Sequence, residues 1–163
     1  NLTGLYAPLV LELTEELYPD RALPVLRDYA LHIEPVTRAK AIELLAARKS
    51  KPDLELIARG AVDPDPEVQL AALKALHVLG ERRATPLYLA GLGSPEPRVR
   101  AIALVILSNE WQDTPDMPAN GAPAAWQAFW ATQSTDIKSP LDPKKLRPLT
   151  ASESGEPVLY HNE

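Results

Sequence analysis

Apolar residues recur through the middle of the chain at helical intervals. Val68, Ala71, Ala72, Ala75, Leu76 and Leu79 share one face of a helix, with charged and polar residues between them. Signals at both ends fit the same reading. Asp65 stands where an N-cap accepts a backbone N–H, Pro66 occupies the first turn, where its missing N–H costs nothing, and Glu67 suits the positive end of the helix dipole. Gly80 falls where a helix closes on a left-handed residue. The pattern returns downstream. Ser94 or Glu96 caps, Pro97 starts, and Val99, Ile102, Ala103, Ile106 and Leu107 form the stripe, so the anchor valines Val68 and Val99 are 31 residues apart. A weaker copy over 34–45 places Val36 a further 32 residues upstream of Val68.

Between these helices the spacing predicts shorter ones. One runs from Pro52 to about Val62 with Leu54, Ile57 and Ala61 inward, and another from about Arg82 to Leu92, closed by Gly91 and Gly93. Residues 20–26 echo 81–87, and Pro24 and Pro86 lie 62 residues apart, twice 31. Leu5 to Leu17 is apolar enough to partner that echo. Repetition in this period range predicts stacked helical pairs, here about three and a half, over residues 1–111. The fold class expected is all-α, an α-solenoid of antiparallel helix pairs with an irregular, proline-rich C-terminal tail.

The pattern breaks after Trp111. Residues 112–123 carry Pro115, Pro118, Gly121 and Pro123, a loop composition, and a last short helix from Ala124 to about Thr132 bears Trp126, Phe129 and Trp130 on one face. Residues 112–133 thus read as a loop and an aromatic capping helix. Such a cap covers the open end of the last pair; the same aromatic face would equally anchor a partner. Residues 134–163 lack periodicity and read as an extended or disordered tail, either solvated or strapped along a neighbouring subunit. On the strap reading, removing 134–163 leaves the helices intact and weakens association.

Composition narrows the function classes. A net charge of −5 over 163 residues argues against sequence-independent nucleic-acid binding, which needs cations against phosphate. Zero cysteines exclude disulfides, thiolate metal sites and thiol catalysis. No apolar run reaches the roughly 20 residues that a bilayer span requires. The chain starts at Asn1 rather than Met, which suggests processing or trimming upstream, with a removed signal or membrane anchor among the expectations and the compartment, cytoplasmic or extracytoplasmic, left open.

Asp65-Pro66-Glu67-Val68, followed by Ala71-Ala72, Ala75-Leu76 and Leu79-Gly80, resembles a HEAT repeat of the short bacterial type, the phycobilin-lyase HEAT-like repeat. The resemblance is strongest over 65–92, extends to 95–108 and 34–62, and does not cover 112–163. It implies an α-solenoid that serves as scaffold or adaptor. It does not by itself imply lyase chemistry.

No catalytic constellation accompanies it. His32, His77 and His161 are isolated, the glycines fall at helix ends rather than in a phosphate loop, and Asp63, Asp65 and Glu67 lack the glycine and the distal glutamate of a calcium loop, so they read as helix capping. The expectation is therefore a non-enzymatic protein–protein interaction module without catalytic residues, metal or cofactor, an accessory or scaffolding subunit whose partner is a protein or larger complex. A chromophore- or cofactor-attachment factor and a membrane-anchored extracytoplasmic adaptor are the alternatives. The partner-binding candidates are Arg27, Glu55, Arg59 and Tyr88 on the outward side of the second helices, Trp126 and Trp130 on the aromatic helix, and Lys144, Lys145 and Arg147 in the basic part of the tail, which precedes Glu153, Glu156 and Glu163.

Overall fold

The structure is a computed structural model and describes residues 2–150, with side chains from Tyr6 onward. All regular structure among these residues is helical: α1 (Leu2–Leu17), α2 (Pro19–Tyr29), α3 (Pro35–Ala47), α4 (Leu54–Gly60), α5 (Pro66–Leu79), α6 (Thr85–Leu92), α7 (Pro97–Glu110) and α8 (Pro123–Gln133). Short 3₁₀ turns precede α4 (Lys51–Asp53) and α6 (Arg82–Ala84) and follow α8 (Ser134–Asp136). α3 packs on α1, α5 on α3 and α7 on α5, while α2, α4 and α6 each touch the long helix that follows them, α3, α5 and α7.

The helix starts follow local chemistry. Six of the eight helices, α2, α3, α5, α6, α7 and α8, have proline in the first two positions. Asp65 accepts the Glu67 N–H at 2.9 Å, and Glu96 accepts the Arg98 N–H at 3.3 Å. Glu96 is held below the usual carboxylate range, first by that backbone hydrogen bond and then by the Arg98 guanidinium. Gly80 ends α5 in the left-handed region at φ 66°, and Lys49 takes the same conformation at φ 52° 31 positions earlier, after α3.

The prolines Pro35, Pro66 and Pro97 establish a strict 31-residue register. Thr37, Val68 and Val99 are then equivalent, and all three are buried. The sequence-derived copy anchored on Val36 was one residue out of register, because Val36 is exposed and Thr37 takes its place in the core. The same interval repeats the close approaches. A Cβ on Gly60 would lie 2.8 Å from the Ala72 Cβ, and one on Gly91 would lie 2.9 Å from the Ala103 Cβ. Gly91 therefore serves packing inside α6 rather than ending it.

One core runs the length of the stack, from Leu11, Leu26 and Ile42 through Leu73, Leu76 and Tyr88 to Ile106, Leu107, Trp111 and Trp126. In α5 the buried set includes Leu70 and Leu73 beside the expected stripe, because the helix is packed by α3, α4 and α7 at once. At the C-terminal end, Trp111 meets Phe129 and Trp130 edge-on at ring separations of 5.5 and 6.3 Å, and the Arg82 guanidinium lies 4.4 Å from the Trp111 ring centre.

The tail does not leave the molecule within the described residues. The Leu141 N–H donates to the Arg83 carbonyl at 2.8 Å, and the Arg83 Nε donates to the Ser139 carbonyl at 2.8 Å. Further along, Arg59 donates to the carbonyls of Arg147 (3.0 Å) and Pro148 (3.2 Å). Leu141 and Leu149 are buried. Residues 139–149 thus run back across the turn before α6 and then α4 of their own chain. The expectations for Glu153, Glu156, His161 and Glu163 lie outside the described residues.

Candidate interaction groove

Each long helix from α3 onward is entered through the same hydrogen-bonded turn. His32 Nδ1 accepts the Glu34 N–H at 3.0 Å, the Asp63 carboxylate accepts the Asp65 N–H at 2.9 Å, and the Ser94 hydroxyl accepts the Glu96 N–H at 3.2 Å. Three different side chains perform one task, because the task needs only an acceptor two residues before the N–H. The residue three after each proline closes the turn from the other side. Arg38 donates to the His32 and Ile33 carbonyls (2.8 and 2.9 Å), Gln69 to the Asp63 carbonyl (2.6 Å), and Arg100 to those of Ser94 and Pro95 (2.7 and 3.0 Å).

Asp63 has a second role that capping did not anticipate. Its carboxylate receives Arg38 Nε and Nη2, each at 2.9 Å, and both side chains are buried. The pair ties the start of α3 to the turn before α5. His32 lies in the turn before α3, stacked on Tyr29 at 5.5 Å. Burial lowers its pKa below the ordinary imidazole value; the Glu34 charge opposes the shift and the Arg38 charge adds to it. The neutral ring is the form that leaves Nδ1 free to accept.

A broad concavity lies on the long helices. A groove of about 900 Å³ runs over α3, α5 and α7. Its floor is apolar, with the small residues Ala39, Ala46, Ala71, Ala75 and Ala101 lining it together with Leu70 and Ile102. Val78 and Val105 also line it and are exposed. Charges of both signs frame it: Glu43, Lys74, and the exposed pair Glu67–Arg98 at 2.7 Å.

The candidates chosen from sequence are scattered by comparison. Tyr88, expected to face outward, is wholly buried, because α6 is short and packed by α7 and α8. Burial and the nearby Glu110 charge push its phenol pKa well up. Arg27 is held by Asp53 through contacts of 2.7 and 3.2 Å. Burial alone would raise the Asp53 carboxyl, but Arg27 and the Ser50 hydroxyl outweigh it and leave the pKa lowered. Arg59 grips the backbone of the tail at Arg147, another of the candidates; Glu55 is exposed on α4. Trp126 is buried, with Nε1 donating to the Asn120 carbonyl at 2.8 Å, and Trp130 is half-buried against Trp111, so this face covers the last helices rather than meeting solvent. Lys144, Lys145 and Arg147 are exposed on the tail. His77, placed at a helix margin, meets Glu110 across α5 and α7 at 2.6 Å.

The groove is not legible from the stripes, because Ala71, Ala75 and Ile102 read there as inward-facing, while Ala39, Leu70 and Ala101 fall outside them. Alignment on Pro35, Pro66 and Pro97 shows the signal, since Ala39, Leu70 and Ala101 then fall in one column. Among the described residues no group of three His, Cys, Asp or Glu side chains is placed to hold a metal ion, and no helix is long and apolar enough to cross a membrane. No family model, curated protein or solved structure matches the chain.

Proposed function

We propose that this protein is a non-enzymatic protein-binding module, a short HEAT-like α-solenoid acting as an accessory or scaffolding subunit of a larger complex. The 31-residue recurrence of turn hydrogen bonds and Gly–Ala approaches supports the solenoid reading. The observation that carries the function is the groove over α3, α5 and α7, with its alanine floor and its rims of both charge signs. Small residues let another backbone come close, and mixed charge favours a protein over a polyanion. The ligand that fits is one amphipathic helix, its apolar face on Ala71 and Ile102 and its charges opposite Glu43, Lys74 and Arg98. The second helices are less available, because residues 139–149 already cross α4 and the turn before α6.

A photo-crosslinking side chain placed at Val78, and separately at Lys144, tests this in cells of the source organism. A discrete crosslinked protein at Val78 that is absent at Lys144, and that disappears with Lys74→Glu, is the expected result. Crosslinks at Lys144 alone would move the binding face to the tail, and none at either position would defeat the proposal.

A further inference from the structure

Helix α1 carries an apolar face that nothing among the described residues covers. Tyr6, Leu9, Val10, Leu13 and Leu17 are between 44% and 62% exposed and follow a spacing of 3, 1, 3 and 4. These positions share one side of the helix. The opposite side is engaged: Ala7 and Leu11 are buried, Glu12 meets Lys40 of α3 at 2.7 Å, and Glu15 meets Arg48 after α3 at 2.6 Å.

The 31-residue register shows what this face corresponds to. Tyr6 stands where Thr37, Val68 and Val99 stand, and Val10 where Ala41, Ala72 and Ala103 stand; those six residues are at most 2% exposed. In α3, α5 and α7 this side packs on the preceding helices. The other end of the stack is closed by Trp126 and Phe129 of α8. Among the described residues, one end is thus covered and the other open.

We infer that the α1 face is a self-association surface, on which a second copy of this chain docks α1 against α1 about a twofold axis. Three observations favour this occupant over a further helix pair of the same kind. The internal interfaces require a small residue where Ala72 and Ala103 lie against Gly60 and Gly91, and α1 has the larger Val10 there. The five apolar positions include no charged residue, the exposed Glu16 only flanks them one turn after Leu13, and Glu12 and Glu15 are bound to basic partners of their own copy, so the centres of two identical faces meet without like-charge repulsion. The large side chains at 6, 10, 13 and 17 also suit the seam of a simple helix pair. Because α8 closes the far end, a copy cannot add head to tail, and the isologous contact gives a closed dimer. This inference concerns a different surface from the groove and stands or falls separately.

The test is the mass of the full chain by sedimentation equilibrium across a concentration series, with Leu13→Lys and, as control, Val105→Lys. Leu13 is exposed, so the substitution leaves the helical fold intact, which circular dichroism checks. The expected result is a monomer–dimer equilibrium that Leu13→Lys weakens at least about tenfold in dissociation constant and Val105→Lys does not. Val10→Cys, in a chain with no native cysteine, is expected to give a disulfide-linked dimer on oxidation that Val105→Cys does not. A monomer at every concentration, or a dimer broken by Val105→Lys and not by Leu13→Lys, overturns the inference. So does protection of the α1 face in a monomer, which would mean a different occupant.

Discussion

Arg38 and Asp63 face each other through two hydrogen bonds of 2.9 Å, both side chains buried, and Asp63 also receives the backbone N–H of Asp65. A charge withdrawn from water this far is tolerated only when paired, so removal of one partner leaves the other stranded. Asp63→Ala or Arg38→Ala is expected to cost about 3–5 kcal/mol of unfolding free energy. The next turn suggests a rescue, because the equivalent positions are Gln69 and Ser94. Arg38→Gln combined with Asp63→Ser should recover about half of the loss or more, measured by urea denaturation as a double-mutant cycle. Additive losses would show that the two residues do not act as a pair.

Gly60 and Gly93 should respond oppositely to alanine. A Cβ on Gly60 would come 2.6 Å from Ile42 Cδ1 and 2.8 Å from Ala72 Cβ, whereas one on Gly93 meets nothing closer than the Ala90 carbonyl at 3.6 Å. Gly60→Ala is expected to destabilise by about 1–3 kcal/mol through overpacking. Gly93→Ala, whose φ of −93° suits any residue, should be neutral or stabilise by up to about 1 kcal/mol. Thermal midpoints of the two variants provide the comparison.

Stability should fall on mild acidification through His32. Its folded pKa is lowered, chiefly by burial, while in the unfolded chain it titrates near 6.5. Above the unfolded value neither state binds the proton and the stability is whole. As pH falls below about 6.5 toward the lowered folded value, the unfolded chain is protonated first and the folded state loses ground. His32→Ser keeps an acceptor of the kind Ser94 provides and should remove this part of the pH dependence. Urea midpoints at pH 7.5 and 5.5 for both proteins decide it; an equal drop in the variant would assign the effect elsewhere.

The tail should contribute to folding rather than only to association. Leu149 is buried and lies by Gly60, and Arg59 holds the two carbonyls before it. Leu149→Ala is expected to cost about 2–4 kcal/mol, against a change within about 0.5 kcal/mol for the exposed Lys144→Ala. This differs from the sequence-based expectation that removing 134–163 leaves the helices intact and weakens only association. If Leu149→Ala proves as silent as Lys144→Ala, residues 139–149 are only draped on the helices.

The all-helical character, the positions of most helices and the 31-residue repeat were legible in the sequence, because they depend on local chemistry: proline in the first turn, Asp65 and Glu96 as caps, Gly80 as a stop, and an apolar stripe. Partners distant in the chain were not legible. Nothing local marks Asp63 as the mate of Arg38, Arg59 as the clasp on Arg147, or Tyr88 as enclosed, since each depends on which helix faces lie across from one another. Val36 and Thr37 show the limit at its smallest scale: two adjacent residues near a helix start, of which packing alone decides that the hydroxyl goes in and the valine out. The chain by itself determined that helices form and where they begin. Only the tertiary structure decided which faces they bury and which, over α3, α5 and α7 and along α1, they leave open, because burial is a property of neighbours and not of residues.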